Sequence, residues 1–195
     1  MMRKIMKGFT MLELMVCIAI IAILSSMSIP SFMKLQARAK QAEAMTNLRS
    51  LYSMQKAYLQ EFSVYSTNVS NVGFSPERGN RYRYYLSTAG SLEDRSDTQA
   101  TNTLGAVGID VDTFRFGAQA TVGVTQGNTS CSTVSLTPGP SGASFLSAAQ
   151  GNIDDDPTID TWTIASFSRR MGSCVDVGAN IVSGVPANDV NDTVE

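Results

Sequence analysis

The 195-residue chain is the size of one domain, or of one domain with an extended element. Its formal net charge of -2 favours no class of partner, and the absence of histidine removes imidazole acid–base chemistry and histidine metal sites. The charge is unevenly spread. Residues 1–8 hold Arg3, Lys4 and Lys7 with no acid, so the rest of the chain carries -2 minus 3, or -5. Residues 31–60 are basic, with Lys34, Arg38, Lys40, Arg49 and Lys56 against Glu43. Residues 151–195 are acidic, with Asp154, Asp155, Asp156, Asp160, Asp176, Asp189, Asp192 and Glu195 against Arg169 and Arg170. The molecule is therefore electrically polar, although a soluble surface with ordinary scatter has the same appearance.

From Phe9 to Ile29 the chain reads FTMLELMVCIAIIAILSSMSI, in which Glu13 alone is ionisable. As a helix these 21 residues are roughly 30 Å long, enough to span a bilayer. A secretory signal has a shorter apolar core and a small-x-small cleavage site, which AILSS imitates. The helical pattern, however, continues past Pro30. Phe32, Leu35, Ala39, Ala42, Met45, Leu48, Tyr52 and Gln55 step by three or four along a stretch of good helix formers, predicting one helix from residue 9 to about 60. Such a helix, roughly 78 Å long, needs lipid, a coiled-coil partner or copies of itself for cover. Pro30 removes one backbone hydrogen bond and is expected to bend the helix without ending it. Basic residues flank the span on both sides, so the charge bias across it is weak. The polar, acidic remainder is placed outside the cytoplasm.

Residues 61–72 leave the helical stripe for a loop, and Pro76 with Gly79-Asn80 signals a turn. Tyr82, Tyr84 and Leu86 alternate with Arg83, Tyr85 and Ser87, predicting the first strand of an antiparallel sheet. Alternation predicts further strands at 111–118, with Phe114 and Phe116 on one face, and at 159–167, with Trp162 and Ile164 turned toward the long helix. Residues 119–157 read as surface loops with a short helix at SFLSAAQ. The expected fold is α+β: a long N-terminal helix, membrane-spanning and then amphipathic, packed against a small antiparallel sheet of about four strands. Of the three cysteines, Cys17 lies in the apolar run, which leaves Cys131 and Cys174 as the natural disulfide pair in an oxidising location.

Other candidate sites are weak. Asp154, Asp155, Asp156 and Asp160 offer oxygen ligands for calcium, but their spacing is not that of an EF-hand, and a solvated acidic loop fits as well. Glu77 and Arg78 suit a subunit contact or an ordinary turn. Phe32, Tyr52, Tyr58, Phe62 and Tyr65 form a helix-period series, more simply packing groups than a conducting stack. Asn68–Ser70 is an isolated N-x-S match. No catalytic, cofactor-binding or metal-binding motif is present, so no enzyme is expected.

KGFTMLELMVCIAIIAIL, cut after Gly8, resembles the class III signal of type IV pilins and pseudopilins. The family pattern is a short basic leader, Gly, an aromatic residue and Glu at the fifth mature position, matched here by Gly8, Phe9, Thr10, Met11, Leu12 and Glu13. Pro30 falls where the family has a helix-bending proline. GFSPERGNRYRYYLS at 73–87, DTFRFGA at 112–118 and TIDTWTIASF at 158–167 are also similar to the longer major pilins of Myxococcus-like gliding bacteria. The resemblance implies four parts: a leader at 1–8, a transmembrane and fibre-core half-helix at 9–29, an amphipathic half at 30–62 and a globular head at 63–195. It implies cleavage after Gly8 by a prepilin peptidase that also methylates the new amine of Phe9. It further implies passage from the inner membrane, through an assembly platform, into a helical homopolymer outside the cell. Such fibres retract for twitching motility and mediate adhesion. No nucleic acid and no cofactor are implied. A type II secretion pseudopilin shares the N-terminal motif, and a membrane-anchored adhesin that never polymerises is a further alternative.

The resemblance also gives Glu13 a purpose. A carboxylate in lipid is expensive unless paired. After cleavage it can meet the Phe9 amine, within one chain or, more usefully for register, from a neighbouring one. A carboxylate solvated at headgroup depth is the plainer alternative.

A Cys131–Cys174 bridge closes a loop of 42 intervening residues and is expected to stabilise the head by roughly 3–4 kcal/mol. A non-reducing peptide map should recover the two half-cystines together. Both thiols reacting with an alkylating agent in unreduced protein would exclude the bridge.

Overall fold

The computed structural model of the chain describes residues 8–98, 104–118, 134–139, 142–153, 158–170 and 180–191. Cys131, Cys174 and Asp154–Asp156 lie outside the described residues. The protein is α+β, with one long helix, α1 (Met11–Phe62), followed by a mainly antiparallel sheet region. It divides into two units, residues 1–38 and 39–195.

In the first unit α1 is exposed on all sides. Met11, Leu12, Ile18, Ile23 and Met27 are all more than half exposed, as are Phe32 and Leu35. The helix continues unbroken past Pro30.

In the second unit α1 buries Gln41, Ala44, Leu48, Leu51 and Gln55, a three-and-four spacing that forms one face. This face is rotated from the expected stripe: Leu48 and Gln55 are shared, whereas Ala39 and Ala42 are exposed. The two glutamines are tolerated because they are hydrogen-bonded. Gln41 Nε2 donates to Asp160 Oδ1 and Asn191 Oδ1, each at 2.9 Å. Gln55 Nε2 donates to the Ser66 carbonyl at 2.6 Å and its Oε1 accepts the Ser66 N–H.

The strands are β1 (Arg83–Tyr85), β2 (Gly108–Ile109), β3 (Ser135–Thr137), β4 (Ser144–Gly151), β5 (Asp160–Ala165) and β8 (Ala187–Val190) in the main sheet, with β6 (Arg169–Arg170) and β7 (Asn180–Ile181) as a separate pair. The main order is β2-β1-β4-β5-β8, with β3 also paired to β4. All the named strand pairings are antiparallel. β4 was expected to be a helix. Its run FLSAAQG is wholly buried, and its residues pair with β1, β3 and β5, so tertiary pairing overrides the helix preference of its alanines.

The expected strand at 111–118 is also corrected. β2 ends at Ile109, and Thr113–Phe116 forms a one-turn helix, α3, because Asp112 caps it by accepting the Arg115 N–H at 3.1 Å. Asn68 caps a similar short helix, α2 (Val69–Val72), which gives the N-x-S segment a local structural role. Gly108 is fixed by close approach: a Cβ there would come within 2.2 Å of the Tyr84 carbonyl oxygen.

Both sheet faces are covered. Phe145 packs against Tyr52 and Tyr65 on one, at centroid distances of 5.8 and 4.9 Å. The register places Trp162 and Ile164 on the same face as Phe145, toward α1 as expected. Tyr85, Val134, Leu146, Ala148 and Ala165 form a second cluster.

The α1–sheet junction is organised by Asp160, which is fully buried. Its Oδ1 accepts from Gln41 and from Asn188 Nδ2 at 3.2 Å, and its Oδ2 accepts from Tyr82 Oη and Trp162 Nε1, both at 2.6 Å. Burial and the adjacent carboxylate push the Tyr82 phenol far above its ordinary range, keeping it a donor. Asp160→Ala would remove the shared acceptor of these four donors, leaving Gln41 only its bond to Asn191. It is expected to destabilise the protein by roughly 3 kcal/mol or more, with Asp160→Asn less damaging, as read from thermal melts of the detergent-solubilised full chain.

Candidate functional site

The N-terminal segment is locally simple. Gly8, Phe9 and Thr10 precede α1 and are exposed, and nothing lies within 4 Å of a Cβ built on Gly8. Thr10 and Glu13 then form a reciprocal cap. The Thr10 N–H and hydroxyl donate to Glu13 Oε2 at 3.3 and 3.2 Å, and the Glu13 N–H donates to Thr10 Oγ1 at 3.1 Å. This is the S/T-x-x-E capping box, and it places a carboxylate at the positive end of the helix dipole. The role is legible in the spacing T-M-L-E, but the oddity of an acid in an apolar run obscures it. In this chain the Phe9 nitrogen is a peptide amide, and Glu13 is held by Thr10.

Cys17 is a free, exposed thiol on the apolar stretch. From Met11, α1 is long and apolar enough to cross a membrane, and none of its most apolar stretch is buried.

Farther along, α1 borders an open groove of about 640 Å³ whose other wall is residues 74–80. Glu43 lies at its edge. Its Oε1 accepts the Arg81 N–H at 3.0 Å and the Tyr84 hydroxyl at 3.3 Å. Burial pushes this carboxyl above the usual range, and the hydrogen bonds only partly oppose the rise. The groove's outer wall is held by Arg95, whose buried guanidinium donates to the Pro76 and Glu77 carbonyls, to Asn80 Oδ1 and to Glu93. Arg78 does not project freely. It pairs with Asp112 at 3.0 Å and also bonds the Asp97 carbonyl, while Asp112 takes the Gly79 N–H at 2.8 Å.

The helix-period aromatics separate. Phe32 is exposed, Tyr52 and Tyr65 pack on Phe145, and Tyr58 pairs with Phe62 at 4.5 Å. Lys56 lies over the Tyr52 and Tyr65 rings at 5.6 and 5.7 Å, a packing role. Asp160 is wholly engaged in the core. The local sequence does not mark the Asp160 and Arg95 hubs, because most of their partners are distant in the chain.

An exposed apolar helix opened by a capped Thr-x-x-Glu turn, continuing into a helix that a small sheet covers, defines a subunit built to be covered by something other than itself. The chain belongs to the type IV pilin family: residues 35–166 match Type IV pilin PilA, and residues 3–29 match the Prokaryotic N-terminal methylation motif. It is 40% identical over 203 residues to the type IV major pilin protein PilA of Myxococcus xanthus (strain DK1622), an alignment covering 95% of this chain and 92% of the relative. The chain is thus a structural pilus subunit whose N-terminal motif implies processing before polymerisation.

Thr10→Ala is expected to weaken the first turn of α1 by about 1 kcal/mol, and Thr10→Ser to preserve it. Amide hydrogen exchange at Glu13 and Leu14 in detergent should rise in the first variant only.

Proposed function

We propose that this chain is a major pilin precursor, cleaved between Gly8 and Phe9 and methylated on the Phe9 nitrogen by a prepilin peptidase. Its apolar half-helix holds it in the inner membrane until an assembly platform transfers it into a surface fibre. The fibre retracts for twitching motility and supports adhesion. The observation that carries this reading is the apolar half of α1, exposed over its whole circumference directly after the Gly8-Phe9 junction. Lipid before assembly and neighbouring helices afterwards are the two environments that relieve such exposure. The 40% identity to a relative named as a major pilin supports this role over that of a secretion pseudopilin. Pro30 is assigned the bend that lets helices pack in the fibre, and Cys131–Cys174 the bridge that closes the head.

In this reading Glu13 exchanges partners. Thr10 occupies its carboxylate before assembly. The amine freed at Phe9 is a charged donor, and one from a neighbouring chain makes a stronger, charge-assisted bond that sets the register of insertion. Glu13→Ala removes a charge that is costly in lipid, so leader cleavage and the membrane pool should persist while sheared surface fibres fall at least about tenfold; Glu13→Gln should act more mildly. Paired blots of membranes and sheared material check this. Normal fibre yield from Glu13→Ala would remove the pairing role.

A further inference from the structure

Two arginines stand near one end of the head's portion of α1 and an exposed acid at the other, each beside an exposed phenylalanine. Near its start, Lys40 bonds the Ile153 carbonyl, Gln41 reaches Asp160, and Glu43 takes the Arg81 N–H. At this end the Arg81 guanidinium lies 4.0 Å from the Phe116 ring centroid, and that of Arg115 lies 5.9 Å from it. Arg115 rests over the bare face of Gly79, where a Cβ would come within 3.1 Å of a guanidinium nitrogen. Neither arginine is ion-paired among the described residues. Phe114 beside them is 60% exposed and helps line an open cavity of about 420 Å³. Cation–π stacking orders both guanidiniums while leaving their N–H groups for an incoming carboxylate.

Glu61 and Phe62 close α1 at its other end, about 27 Å along the helix from Glu43. Glu61 is exposed and has no ion pair among the described residues, and Phe62 is 52% exposed with its ring on Tyr58. Among the described residues, the other exposed acids of the head lie on or beside the arginine surface: Glu77 next to Arg78, Asp94 turned to Ser96, and Asp97 turned to Thr98. Among the described residues, Glu61 alone combines the opposite end with an exposed aromatic neighbour.

Surfaces at opposite ends of one rod-like element cannot satisfy each other within a chain. Between copies such surfaces can meet in a heterologous contact, which builds an open fibre where the rotation does not close a ring. We propose that the Glu61–Phe62 end of α1 in one copy docks on the Arg81, Arg115 and Phe114 surface of a second copy, with Glu61 accepting from the guanidiniums and Phe62 packing beside Phe114. The contact rests on the polymerising reading above. It adds a head-to-head lock distinct from the N-terminal helix packing.

Glu61→Lys and Arg115→Glu test the contact in the full chain. Each is expected to lower sheared-fibre yield about tenfold with an unchanged membrane pool, and the two together should restore the yield to within about twofold of the unaltered chain. Glu61→Cys combined with Arg115→Cys should give an oxidant-dependent ladder of multimers in intact fibres. That second measurement decides the matter if a charge reversal depletes the membrane pool. Single reversals at full yield, or a combined reversal no better than the singles together with no ladder, would overturn the contact. Absence of fibres from the unaltered chain would instead overturn the polymerising reading.

Discussion

The governing constraint is the uncovered apolar half of α1. Its described side chains from Met11 to Leu35 are all exposed. Removing a large aliphatic side chain from water is worth about 1.5–3 kcal/mol, so a run of them in water is untenable. The chain must be in lipid or in the company of other chains. The long apolar helix and the N-terminal motif are both consistent with a subunit that exchanges the first environment for the second.

The head answers a different problem, because it must hold a stiff helix in one placement against the sheet. It does so with hydrogen-bonded polar groups at the α1–sheet junction. Gln41 and Gln55 sit on the buried face of α1, and each is bonded to a distant part of the chain. Asp160 gathers donors from α1, from the residue preceding β1, from β5 and from β8. A buried carboxylate with four donors is stable only in the correct packing, so it specifies one placement of these elements. Arg95 does the same for residues 76–80, tying the groove wall to the sheet edge.

Glu13 joins these two problems. In the described chain it satisfies an otherwise open helix end, which lowers the penalty of an acid in an apolar segment. The same carboxylate remains able to accept a stronger donor. A group with a weak local partner is well suited to a process in which the subunit must leave one environment for another.

Local features of this protein were legible from its sequence alone. The apolar span, the continuation of the helix past Pro30, the end of α1 near Phe62 and the orientation of Trp162 and Ile164 follow from periodicity, which is a property of neighbouring residues. The motif from Gly8 to Glu13 carries its meaning in order and spacing, and so it identifies the family. Tertiary structure decided the rest. SFLSAAQ became a strand because partners on both sides paired with it, and DTFRF became a turn of helix because Asp112 capped it while also binding Arg78. The rotated buried face of α1 was set by the sheet it meets. Asp160 read as a calcium ligand or a solvated acid, because a side chain's burial and partners depend on residues tens of positions away. Sequence spacing determines which residues share a helix face or strand face; only packing determines what that face meets.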